Sequence, residues 1–304
     1  MTRSGRVAQM PTHEGVSASV VAVPAGHWPS LLDFLAQRMP GIPREEWAQR
    51  VRQGLVLQEN GQSAQADQAC QAGQRFFYYR NVADEPRLPM QAAVLFEDDH
   101  LLVADKPHFM PVTPSGPYVQ QCLLVQLKRL TGHADLVPLH RIDRETAGLV
   151  LFGKRLHERD AYHALFRDHR IHKTYHAVAA HRPELALPWV HTSRLAEDPA
   201  YFFKMQEIPG EPNSETRITR LGFQGEHALY QLEPVTGKRH QLRVHMMAMG
   251  MPIVGDQFYP TVRRGPQAQE DFSDPLQLLA QSVRFTDPLT GQTRELESQL
   301  KLQF

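Results

Sequence analysis

The chain has 304 residues, 41% of them hydrophobic and 22% charged, with 33 Lys and Arg balanced by 33 Asp and Glu. This composition excludes a disordered or collagen-like chain and fits a globular protein of one large domain or two unequal ones. Two cysteines, Cys70 and Cys122, are too few for a disulfide scaffold or a cysteine-rich zinc site, so a reducing, cytoplasmic setting is expected.

No apolar run approaches the roughly 18 residues needed to span a bilayer. Residues 1–19 carry Arg3 and Arg6 without the apolar core of a signal peptide, and they read as a flexible leader. A helix is predicted over residues 30–39, because Leu31, Leu35 and Met39 recur every four positions behind a capping Ser30. Pro40-Gly41 ends it. Pro43 opens a second helix through about Gln53, with Trp47 and Val51 one turn apart, and Gly54 stops it. Leu55-Val56-Leu57 is a strand candidate, Asn60-Gly61 a turn, and Phe76–Tyr79 a further strand. Residues 20–80 thus make a small α/β module. Pro86, Pro89 and mixed charges mark residues 81–92 as a linker, and the main domain is expected over 93–304.

In that domain two short strand patterns flank the acidic turn Glu97–Asp99, between Val94 and Pro107. A loop follows at 110–115. A helix is predicted over 120–130, with Leu123, Leu127 and Leu130 on one side. Strands are predicted at 149–152, 171–180, 215–221 and 228–234. A C-terminal strand pair is expected around Val283–Phe285 and Arg294–Leu296, joined through Asp287–Gly291.

Three blocks carry candidate chemistry. In His140-Arg141-Ile142-Asp143-Arg144-Glu145-Thr146-Ala147-Gly148, one carboxylate, Asp143, stands between two guanidinium groups, and an apolar run of four residues follows. Flanking cations keep such an acid ionised, and an ionised carboxylate on a loop serves as nucleophile or base. A surface salt-bridge cluster is the alternative. Residues 140–176 are locally basic, with Arg141, Arg144, Lys154, Arg155, Arg159, Arg167, Arg170 and Lys173 against five acids, although the neutral total counts against a strongly electrostatic nucleic-acid binder. In the second block, Ile171–Val178, alternation puts Lys173, Tyr175 and Ala177 on one strand face. The third runs from Leu232 through Thr236-Gly237-Lys238-Arg239-His240 to Arg243 and His245, with a helix starting near His240, and continues to Gly250–Tyr259. His240 and His245, five apart, do not fit the H-E-x-x-H zinc pattern and read as structural; no metal site is expected. A P-loop and a dinucleotide glycine fingerprint are both missing from the sequence, so no cofactor is expected.

The first block resembles H-R-[LI]-D-[RK]-x-T-[SA]-G-L-x-L, the signature of the RluA family of pseudouridine synthases. The second resembles that family's V-x-K-x-Y-x-A strand, and the third its L-x-P-x-T-G-R-x-H-Q-[IL]-R-x-H and G-x-P-I-x-G-D-x-x-Y. Glu97–Pro107 is similar to the family's E-D-x-x-L-x-V-x-x-K-P opening. Lys238, Ala147 and Leu279 stand where the family often has Arg, Ser and His. The resemblance covers about residues 94–304. Residues 30–80 resemble, more loosely, an S4-like RNA-binding module, with Arg44, Arg50 and Arg52 offset by Glu45 and Glu46.

The resemblance implies an α+β fold, with a mixed, mainly antiparallel sheet around a central cleft, and isomerisation of uridine to pseudouridine in structured RNA, ribosomal RNA first and transfer RNA next, by a monomer without cofactor. It implies catalysis by Asp143, with Arg243 aiming it through a bidentate fork and Tyr175 stacking on the base and serving proton transfer at C5. Arg141 would fill the place of the extruded base, and His140, Arg144, Lys173, Lys238 and His240 would bind substrate. Two rivals remain at this point. One is a glycosidase or nucleosidase, for which Glu145 would have to curl back as a second carboxylate. The other is a non-catalytic RNA-binding protein.

Overall fold

The computed structural model describes residues 10–80, 85–265 and 271–304. The chain divides into two compact units, one made of Met1–Glu85 with Gly116–Gln120, the other of Pro86–Ser115 with Gln121–Phe304.

In the first unit, β1 (Ser19–Ala22), α1 (Leu31–Arg38), α2 (Arg44–Arg52), β2 (Val56–Gln58) and β3 (Arg75–Tyr78) follow in order. The strands form an antiparallel sheet in the order β1-β3-β2. Ser30 caps α1 by accepting the Asp33 amide, which satisfies one of the helix's orphan donors. Leu31, Phe34, Leu35, Trp47, Val56 and Phe76 make its core. Part of the leader expected over 1–19 is not loose. Residues 1–9 lie outside the described residues, but Met10 and Ala18 pack against Leu55, Leu57, Phe77 and Tyr79, the Tyr79 hydroxyl donates to the Pro11 carbonyl, and Ser19 already belongs to β1. Of the three α2 arginines, Arg44 pairs with Asp33, and Arg50 is buried against Trp47 and pairs with Glu46. Arg52, the third, is exposed.

The second unit contains β4 (Ala93–Glu97), β5 (Leu101–Lys106), α3 (Leu123–Thr131), β6 (Val137–Pro138), β7 (Ala147–Gly153), α4 (Arg159–Arg167), β8 (Ile171–Ala180), β9 (Trp189–Glu197), β10 (Met205–Ile208), β11 (Ser214–Gln224), β12 (His227–Pro234), α5 (Gln241–Ala248), β13 (Leu278–Thr286) and β14 (Thr293–Glu297). They build an eleven-stranded sheet in the order β10-β9-β11-β12-β8-β13-β7-β5-β4, with β14 on β13 and β6 on β7. Its described pairings are antiparallel except β13 with β7. The expected α+β sheet is therefore present. Of the residues 81–92 read as a linker, 81–84 lie outside the described ones, and Leu88 is buried.

The strand β7 is the apolar run of the first block, buried along its whole length because the sheet is covered on both faces there. Gly148 makes its contact with β13 possible. It sits at φ +108°, and a Cβ there would lie 2.3 Å from the Ala280 carbonyl oxygen. The helix α3 begins three residues later than the periodicity suggests. The sequence reading did not include α4, β9 or β10: β9 is exposed at alternate positions but carries few apolar residues to mark its inner face, and α4 buries only Tyr162 and Leu165.

Candidate active site

Asp143 opens a tight turn in which the Thr146 amide donates to the Asp143 carbonyl, and the chain then enters β7. The turn is braced against the segment after β5. The Lys106 ammonium donates to the Pro107 and Arg144 carbonyls, each at 3.0 Å. His108 Nδ1 bonds the Glu145 carbonyl at 2.7 Å, and Arg144 Nε donates to the Phe109 carbonyl at 3.0 Å. Lys106 is fully buried, and burial pushes its pKa down to about 7 despite the nearby carboxylates of Glu145 and Asp143.

Facing the turn is α5, which begins at His240 in a left-handed conformation, φ 53°. Arg243 lies on its first turn, 1% exposed. The expected fork is there, but it is directed elsewhere. Nε and Nη2 of Arg243 donate to the two oxygens of buried Asp256, at 2.8 and 2.7 Å. Asp256 is fixed in turn by the Phe258 and Tyr259 amides. The remaining nitrogen, Nη1, faces Asp143 at 3.5 Å and Glu145 at 3.9 Å. The bidentate geometry thus belongs to Asp256, and Asp143 faces only the remaining nitrogen, Nη1.

Burial alone would raise the Asp143 pKa. The facing His240, the Arg243 guanidinium and Lys106 outweigh it and leave the carboxyl below its ordinary range. His240 Nε2 is 4.0 Å from Asp143 and its Nδ1 meets the Tyr259 hydroxyl at 2.9 Å. Burial holds the His240 pKa near 4, so at neutral pH Arg243 is the permanent charge that keeps Asp143 ionised.

Asp143 lies on a cleft of about 860 Å³. Tyr175 of β8 lines it, held in register between Leu232 of β12 and Ala280 of β13. Burial raises the Tyr175 pKa, with Asp143 adding to the effect, so the phenol stays protonated at neutral pH. Six basic side chains line this cleft, Arg141, Arg144, Arg167, Lys173, Lys238 and Arg239, against one carboxylate, Asp143. The neutral chain therefore concentrates positive charge where the candidate acid sits, an arrangement suited to phosphate contacts. Arg141 is exposed at the rim, and Lys173 is mostly buried, which lowers its pKa.

All nine residues singled out in the sequence line this cleft or the smaller pocket continuous with it in lining residues. Besides Arg243, whose fork goes to Asp256, their parts differ from expectation in two cases. His140 Nε2 accepts the Leu151 amide at 3.1 Å, its ring stacks on Phe166, and burial pushes its pKa to about 3. It is a neutral brace for β7 and not a cationic ligand. Arg144 spends its Nε on the Phe109 loop. His245 is structural as expected: its nitrogens meet Thr216, Ser193 and Ser214. Near it, His191 and Glu207 complete a group with metal-ligand side chains, but His191 and Glu207 are hydrogen-bonded to each other at 2.7 Å. Glu145 does not line either pocket; its carboxylate turns to Arg243 and Arg144. Glu145 thus presents no second carboxylate to either pocket. The sequence reading assigned no role to Lys106 or Asp256, although both stand in quoted motifs, because an isolated charged residue gives no sign of being buried.

The chain is similar to known proteins in sequence and in fold. The family model described as RNA pseudouridylate synthase matches residues 100–248. The chain is 32% identical over 232 residues to an uncharacterized RNA pseudouridine synthase of Synechocystis, covering 75% of this chain and 79% of that protein. It is 30% identical over 214 residues to the ribosomal large subunit pseudouridine synthase C of Vibrio vulnificus, covering 69% and 66%. Longer relatives also match, and the chain spans 34–35% of two of them. Among solved structures it superposes on human RNA pseudouridylate synthase domain containing 4 with a TM-score of 0.52 at 26% identity, covering 69% of this chain and 88% of that one.

Proposed function

The chain belongs to the RNA pseudouridine synthase family, RluA type, being 30% identical over 214 residues to the dual-specificity RNA pseudouridine synthase RluA of Vibrio cholerae, of which it covers 80%, and on that premise we propose that its cleft isomerises uridine in ribosomal RNA with Asp143 acting at the ribose. The observation that carries the reading is Asp143, its pKa held below the ordinary range, in a cleft whose other charged lining side chains are the six Lys and Arg. The similarity to a ribosomal large subunit enzyme supports ribosomal RNA as the substrate.

The uridine must first leave its stack, at a cost of a few kcal/mol. Arg141, exposed at the rim with a planar cation, is suited to hold the vacated position. Asp143 then either attacks C1′ or removes the C2′ proton; either route breaks the bond from N1 to C1′ and frees the uracil within the cleft. The base turns and C5 bonds to C1′ as the Asp143–C1′ bond breaks or the C2′ proton is returned; the C5 proton departs and N1 takes up a proton, so the product is an isomer of the substrate and no group is gained or lost. Tyr175 supplies an aromatic face for the detached base. Its phenol, held protonated, is a weak base, which makes stacking its main part. Arg243 is the positioning residue, itself held by Asp256.

The test is tritium release from transcribed ribosomal RNA labelled at uridine C5. The wild type is expected to release tritium without producing free uracil, and Asp143→Asn to abolish release while still binding RNA. Activity retained in Asp143→Asn would overturn the assignment. The S4-like reading of residues 20–80 is tested by whether removing Arg52's charge weakens RNA binding.

A further inference from the structure

The seven residues between β9 and β10 end in an aromatic tip that the reaction as described does not use. The Lys204 amide donates to the Tyr201 carbonyl at 2.8 Å, so Phe202 and Phe203 occupy the two central positions of a β-turn. Those positions ordinarily hold Gly, Pro, Asn, Asp or Ser. Phe203 turns inward and meets Phe258 at 5.0 Å, the ring that lies 5.0 Å from the Arg243 guanidinium. Phe202 turns outward and is 78% exposed; Tyr201 beside it is 43% exposed.

The tip is fixed to the cleft. Arg239, a cleft-lining residue, donates from Nη2 to the Phe202 carbonyl at 2.7 Å, and the Lys204 ammonium sits over the Tyr201 ring at 5.4 Å. Outward aromatic rings on a braced turn form a platform beside Lys204 and Arg239, cations that also face Asp198 at 3.9 Å and Glu197 at 3.8 Å. Exposing such rings to water is unfavourable unless a ligand covers them. Single-stranded nucleic acid is recognised by this combination, with bases stacked on aromatic faces and phosphates near cations.

We propose that the Tyr201-Phe202 tip is a base-stacking contact for an unpaired nucleotide of the RNA flanking the target uridine, continuous with the catalytic cleft through Arg239. The proposal rests on the reading of that cleft as the RNA site. Stacking there would order the strand as it enters the cleft and oppose its return to the helix while the uridine is everted, so Phe202 contributes to binding and selection of substrate and not to bond breaking.

The test uses the full chain and transcribed ribosomal RNA carrying uridine tritiated at C5. Phe202→Ala and Phe202→Leu are expected to raise KM and the RNA dissociation constant roughly tenfold with kcat unchanged, the size expected for one lost stack. Phe202→Trp keeps the ring face and is expected to retain wild-type values. Leu retains apolar bulk without a π face, which separates stacking from burial, and unfolding midpoints of the three variants should match the wild type because the ring is on the surface. Dissociation constants for Ala and Leu equal to the wild type would overturn the proposal. Failure of the catalytic reading shows differently, as absent tritium release by the wild type, and the binding comparison, repeated on the Asp143→Asn background, is independent of it.

Discussion

Asp256→Asn isolates the role of the buried fork. The substitution preserves shape and removes one charge. Asp256 accepts four hydrogen bonds, from Arg243 Nε, Arg243 Nη2 and the Phe258 and Tyr259 amides, three of them on Oδ1. An asparagine keeps those three by placing its carbonyl oxygen there. Its amide nitrogen then faces Arg243 Nε, donor against donor. One charge-assisted bond is lost, worth about 1.5–3 kcal/mol, and one buried N–H is left unsatisfied, costing about 1–3 kcal/mol. The Asp143 and Glu145 carboxylates still face Nη1 and limit the electrostatic loss, so a total of about 3 kcal/mol is expected. For a unit of this size that corresponds to a fall in Tm of about 6–12 °C. The released guanidinium is then free to swing toward Asp143, and kcat should drop roughly tenfold or more as the carboxylate loses its aim, with KM little changed. Calorimetry and tritium release, the latter well below the variant's Tm, measure the two effects. A Tm within about 2 °C of wild type together with an unchanged kcat would refute the idea that Asp256 holds Arg243 in place.

Gly148→Ala should destabilise the catalytic unit severely, since the new methyl would meet the Ala280 carbonyl at 2.3 Å in a backbone conformation that L side chains rarely adopt; chemical denaturation of the soluble fraction reads the loss. Acid sensitivity should include His140. Its folded pKa of about 3 lies below the ordinary value of 6.5, so between those limits the unfolded chain binds the extra proton and stability falls as pH is lowered. His140→Gln, which can still accept the Leu151 amide, should flatten the slope of stability against pH there by up to about 1.4 kcal/mol per pH unit, measured by urea titration at several pH values. Lys238→Gln, at an exposed lysine of the cleft, should weaken RNA binding similarly for all sequences and reduce the slope of log Kd against log salt by roughly 0.7–0.9. A salt slope equal to the wild type would remove Lys238 from the phosphate contacts.

What the sequence determined by itself was local or carried by motif. Ser30 before an apolar four-residue repeat specified α1, and the strand face shared by Lys173 and Tyr175 followed from alternation along one segment. Asp143, Tyr175 and Arg243 were legible because each sits in a patterned block, and the structure brings those blocks to one cleft. Tertiary packing decided the rest. It turned the Arg243 fork to Asp256, made His140 a brace, buried Lys106 beneath the loop and gathered six cations that a balanced charge count conceals. The reason is physical: a residue's type fixes which bonds it can make, while its burial and partners depend on strands far apart in the chain. Neither the burial of Lys106 nor the carboxylate that takes the Arg243 fork is written within any one segment.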